Sequence, residues 1–156
     1  VRPPEDGSVL RRKASGIINE NMTVEIKGQY EGDLRVKLTH GPSGSVIETD
    51  APTDNQGKGA RFSPTDLVTA ALGSCMMTIM GIVAKRDGIN INGSSFRAEK
   101  HMSESPRRIS KIVLEINMPA GLTSEQRKKL EKAAHTCPVH HSLLPEIEKD
   151  IRFIYS

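Results

Sequence analysis

Ser63–Gly88, SPTDLVTAALGSCMMTIMGIVAKRDG, is the stretch whose reading decides the fold. It opens like a helix. Ser63 can cap it, Pro64 suits the first helical position, where no amide hydrogen is needed, and Asp66 can close a capping box on Ser63. The helix is expected from Pro64 to about Lys85, with Gly88 supplying the left-handed stop after Asp87. Between Leu67 and Ala84 lie 18 residues without a charge, at the lower limit of what spans a bilayer. The run is rich in Gly, Ser, Thr and Ala, has no aromatic belt, and no second segment is apolar enough to join it. A helix apolar all round is also what the centre of a globular fold requires. The expectation is therefore a buried central helix and no membrane partner.

Upstream of that helix the apolar period changes to two. Met22, Val24 and Ile26, then Leu34, Val36 and Leu38, then Val46 are separated by turn-rich breaks, which predicts a three-stranded meander. A polar, glycine-rich loop runs from Asp50 to Phe62. Downstream, strands are expected near Asn92–Met102 and Lys111–Met118, the second alternating Ile112, Leu114, Ile116, Met118. A helix over Ser124–Thr136 follows, capped by Thr123 or Ser124, then a short helical piece over Pro138–Leu144 and a closing strand over Asp150–Tyr155. Strands then helix, twice over, make an α+β fold rather than a wound parallel sheet. The domain reading is a loose arm over residues 1–20 and one domain over residues 21–156.

Composition narrows the function classes. With two tyrosines, three phenylalanines and no tryptophan, the chain lacks a stacking platform for single-stranded nucleic acid. The net charge of +3 is small, and its clusters (Arg11-Arg12-Lys13, Arg107-Arg108, Arg127-Lys128-Lys129) sit in three separate segments, so no nucleic-acid partner is expected. Two cysteines without a CxxC pair are not a disulfide framework. The polar N-terminus shows no secretory pattern, and the expected location is cytoplasmic.

The chemistry concentrates on the cysteines. Cys75 lies mid-helix, where a thiol is either a small buried hydrophobe or a nucleophile that needs an activator. Asp66 cannot be that activator, because nine residues put it on the opposite face and roughly 13 Å away along the axis. An activator must come from another segment or another subunit. Cys137 sits in His135-Thr136-Cys137-Pro138-Val139-His140-His141. If Pro138 opens a helix, Cys137 caps it; if Pro138 only ends the preceding helix, it does not. His135, Cys137 and His140 or His141 supply part of a zinc set, but no second ligand cluster exists, so neither metal nor cofactor is expected.

Taken together, Gly57-Lys58-Gly59…Ser63-Pro64-Thr65-Asp66-Leu67…Ala70-Ala71-Leu72-Gly73-Ser74-Cys75 and the distant Cys137-Pro138-Val139 resemble the OsmC/Ohr family, from about Met22 to the C-terminus. The resemblance implies an intertwined homodimer of antiparallel sheets packed on long central helices, with active sites between subunits. It also implies reduction of organic hydroperoxides, Cys75 matching the peroxidatic cysteine and Cys137 the resolving one. An external dithiol, in this family often on a lipoylated protein, restores both thiols. Two positions depart from the peroxidases: Thr65 stands where they carry glutamate, and their active-site arginine has no aligned counterpart, Arg61 being near but out of register. These departures place the chain with the OsmC-like branch. They also keep open a second reading, a module that binds a small hydrophobic molecule at the dimer interface without turning it over.

Overall fold

The computed structural model describes residues 23–156; the expected arm over residues 1–20, the domain boundary after it, Met22 and the Arg11-Arg12-Lys13 cluster lie outside them. The meander forms as strands β1 (Ile26–Gly32), β2 (Arg35–His40) and β3 (Val46–Asp50), paired antiparallel in chain order. Asp33 and Leu34 turn the first hairpin with positive φ at both residues (51° and 63°), the handedness that matches strand twist across a two-residue turn. Arg35 and Asp50, opposite one another on β2 and β3, make a two-pronged ion pair at 2.7 and 2.9 Å. The charge of the buried Asp50 is thereby matched.

Helix α1 (Pro64–Asp87) begins as its sequence requires. Ser63 Oγ accepts from the Asp66 amide, and the Asp66 carboxylate accepts from the Ser63 amide. Gly88 ends it at φ 67°. α1 is long and apolar enough to cross a membrane by length and composition. Its Leu72, Met76 and Met80 are fully enclosed instead in the protein core. They meet Ile112, Leu114, Ile116 and Met118, the inward face of strand β5 (Arg107–Met118). Leu130 and Ala134 of helix α2 (Ser124–Ala134, capped by Thr123) complete that core. At the far end of α1, Asp87 lies between Arg86 and Lys129 of α2, the latter at 2.5 Å. The two cations hold its carboxyl far below the usual range, and the Lys129 pair ties the helices together.

The second sheet, in the order β4 (Ser95–Glu104), β5, β6 (Glu148–Tyr155), corrects one expectation. β4 and β5 are antiparallel, but β5 and β6 are parallel, so the sheets are not antiparallel throughout. After Met118 the chain crosses over through α2 and the short helix α3 (Pro138–Ser142) before returning, and such a long crossover delivers a strand in the same direction. β5 is also longer than its alternation predicts. A bulge opposite His101/Met102 skips Ser110, so Ile109 and Ile112 both face inward and the period-two pattern is readable only from Lys111. β4 starts at Ser95 rather than Asn92 because Ser94 closes a turn onto the Ile91 carbonyl, by its amide at 3.1 Å and its hydroxyl at 2.6 Å.

Candidate active site

Cys75 and Cys137 come together. Helices α1 and α3 pack together, and the free thiol of Cys75 is close enough to that of Cys137 to raise it. Cys75 is half-buried, while Cys137 is fully enclosed. The reason is the position of Cys75 on α1. It lies at the edge between the core-facing side and an open stripe containing Ser74, Thr78 and Ile82.

Pro138 explains the placement of Cys137. It occupies the first position of α3, leaving Cys137 as an extended N-cap with φ −57° and ψ 129°. The Cys137 amide still donates to Ala134 at 3.2 Å, its carbonyl accepts from His141 at 3.2 Å, and its sulfur accepts from the His140 amide at 3.4 Å. The residue is therefore fixed from both sides. Burial pushes the Cys137 thiol up, the neighbouring Cys75 adds to that, and the amides of His140 and Val139 work in the opposite direction. At neutral pH Cys137 is a neutral thiol beside the more open Cys75.

The three histidines do not assemble a metal site. His135 and His141 are exposed; His140 is half-buried, with edge-to-face ring centroids 5.8 Å from His135 and 5.7 Å from His141. Burial first, then Lys149, His135 and His141, hold the His140 imidazole below its usual pKa and hence neutral. Among the described residues no group of three or more His, Cys, Asp or Glu side chains is arranged to hold a metal ion.

Arg61, the cation nearest α1 in sequence, pairs with Glu48 at 3.1 Å. The charge at the start of α1 is instead Lys100 of β4. Its ammonium donates to Asp66 at 2.7 Å, Thr65 at 2.8 Å and Ser63 at 3.3 Å. Thr65, the position where the peroxidases carry glutamate, is thus a hydroxyl acceptor for a lysine. Sequence reasoning missed Lys100 because a lone lysine in a strand reads as solvent-facing, and its partners lie 34 to 37 residues away.

Residues 57–152 match the model of the OsmC-like protein family, more than half of the chain. The chain belongs to that family. A crystal structure from Psychrobacter arcticus 273-4, named as a candidate osmotic stress induced and detoxification response protein, is 41% identical with a TM-score of 0.80, covering 88% of this chain and 99% of that one. An uncharacterized protein of Acinetobacter baylyi is 26% identical over 129 residues, 76% of this chain and 90% of its own length. A Legionella pneumophila organic hydroperoxide resistance protein, OsmC, shares the fold at 17% identity and a TM-score of 0.68, over 85% of this chain and 96% of that one.

Proposed function

We propose that this OsmC-like protein is a thiol-dependent reductase of organic hydroperoxides, cycling Cys75 and Cys137 through a disulfide. The observation that carries the reading is the pairing of a half-buried thiol with an enclosed one from a different element, near enough for Cys75 to raise the Cys137 thiol. The Cys75 thiolate attacks the outer oxygen of R–OOH, the O–O bond breaks, and an alcohol leaves with a proton from solvent. Cys75 becomes a sulfenic acid. The Cys137 sulfur then attacks the Cys75 sulfur; hydroxide leaves, takes up the Cys137 proton and departs as water, and a disulfide remains. An external dithiol, on a small molecule or a lipoylated protein, returns two electrons and two protons. Enclosure of Cys137 favours this order, because a neighbouring thiol traps the sulfenic acid before further oxidation. Recycling of free thiols fits the reducing cytoplasm.

The working unit in this reading is a homodimer. In a single chain Ile26 of β1 is 64% exposed, Tyr30 63% and Ile82 of α1 60%, apolar surface that a second copy would cover. Thr65 in the glutamate position, and an Arg61 engaged with Glu48, favour the alternative of a module that holds a small hydrophobic molecule without turnover. Titration of free thiols separates the two. Reduced protein treated with cumene hydroperoxide should lose both thiols, a Cys75→Ser variant should keep its one remaining thiol, and a Cys137→Ser variant should stop at a sulfenic acid trapped by dimedone. If both wild-type thiols stay free while a control peroxidase oxidises, the reductase reading fails.

A further inference from the structure

On the face of α1 turned away from Cys75 lies an open cavity, of about 300 Å3, between the helix and β4. At ~100° per residue, Asp66, Thr69, Ala70 and Gly73 point roughly opposite to Cys75. Small side chains create the space: Ala70 faces Ala98, and Gly73 lets the Phe96 ring lie directly on the helix. A Cβ on Gly73 would fall 2.5 Å from the ring. Phe96 and the exposed Phe62, two of the three phenylalanines in the chain, wall the cavity with aromatic surface.

Its polar end is one-sided in hydrogen-bonding character. The Lys100 ammonium has three hydrogens, and they are matched by three acceptors, on Ser63, Thr65 and Asp66. The Thr69 hydroxyl spends its hydrogen on the Thr65 carbonyl at 3.3 Å. Asp66 accepts one bond at each oxygen, from Lys100 and from the Ser63 amide, and an ionised carboxylate has about four lone-pair sites. The Ser63 and Thr65 hydroxyls bond each other at 3.1 Å and do not line the cavity, so the polar side chains that do line it, Asp66, Thr69 and Lys100, offer acceptors and no remaining donor. A carboxylate ligand finds nothing to donate to it, and a cationic amine meets the Lys100 ammonium.

We propose that this cavity is a binding site for small neutral molecules that join an aromatic or branched alkyl body to a hydroxyl donor, that is, aryl and alkyl alcohols or phenols. The volume suits the class, since a dry cavity of about 150 Å3 already holds benzene. The site is separate from the thiol pair, so it stands whether or not the reductase reading does.

Ligand-observed NMR on the full-length protein, with benzyl alcohol, toluene and benzoate as probes, tests it. Benzyl alcohol should bind saturably, about fivefold or more tighter than toluene, the worth of one net hydrogen bond, and benzoate should not bind. Equal affinity for toluene and benzyl alcohol, or no saturable binding of the alcohol, overturns the proposal. Ala98→Leu fills the cavity from the strand and Ala70→Leu from the helix, so one folded variant is enough. Either should abolish benzyl alcohol binding while both thiols still titrate with Ellman's reagent as in the wild type. Retained binding in a folded, filled variant places the ligand elsewhere and overturns the proposal.

Discussion

Replacing Lys100 with methionine removes the ammonium from the start of α1 and keeps an unbranched stem of similar length. Three hydrogen bonds are lost, the shortest being 2.7 Å to Asp66. A hydrogen bond to a charged group nets about 1.5–3 kcal/mol where both partners are buried. Here the Lys100 side chain is 17% exposed but that of Asp66 is 40%, so water re-solvates much of the orphaned carboxylate and screening reduces the figure. The Ser63 hydroxyl keeps its bond from the Asp66 amide, and the methionine stem stays packed. The expected loss is about 1–2 kcal/mol at pH 7, or a fall in Tm of about 3–6 °C for a chain of this length. The dependence on pH is the sharper signature. Burial pushes the Asp66 carboxyl up, but its bonds from Lys100 and Ser63 outweigh that and hold it below the ordinary value of 3.8. A depressed folded pKa contributes stability that is present above 3.8 and lost as pH falls through the folded value. The assay is urea unfolding followed by circular dichroism, at fixed protein concentration because a dimer would make the midpoint concentration-dependent. Lys100→Met, Asp66→Asn and the double variant form a cycle. The coupling energy should be about 1 kcal/mol at pH 7 and shrink toward zero as Asp66 protonates. A coupling below about 0.3 kcal/mol at pH 7, or one unchanged at acid pH, would refute the assignment of Lys100 as the counter-charge of this helix start.

Three further outcomes are expected. Gly57→Ala should destabilise by about 3 kcal/mol or more, at the upper end of overpacking costs, because its Cβ would fall 1.6 Å from the Ala51 carbonyl oxygen, a backbone atom that cannot step aside; thermal unfolding measures it. In alkylation followed by mass spectrometry, Cys75 should react about tenfold or more faster than Cys137 at pH 7.5, because the Cys137 thiol is enclosed and shifted up; the order should vanish in denaturant. Ile82→Asp, at an exposed position of α1, should leave secondary structure unchanged. It should shift the proposed homodimer to monomer in analytical ultracentrifugation, and an unaltered dimer counts against α1 as part of the proposed interface.

The parts of this molecule legible in its sequence are those held by short-range interactions. The capping box at Ser63 and Asp66, the glycine stop at Gly88 and the cap at Thr123 each join residues within a few positions, so local chemistry specifies them. The sequence left two roles open for Pro138, and the structure decides that it opens α3 with Cys137 as its N-cap. Family membership followed from the cysteine motifs taken together, whereas the meeting of the two thiols has no signature in spacing or composition. Other features were settled only by tertiary structure. The bulge that shifts β5 out of alternation depends on how β4 lies against it. The parallel pairing of β6 depends on the crossover through α2 and α3. The half-burial of Cys75 depends on which side of α1 the sheet takes, and a helix apolar on nearly every side does not declare that. Lys100 reaches Asp66 only because β4 packs across the start of α1. Sequence determined the elements and the capped ends of the two longer helices, where a few neighbouring dihedrals and hydrogen bonds decide. Tertiary structure decided which faces meet, because burial and charge pairing act between segments whose distance along the chain says nothing about their distance in space.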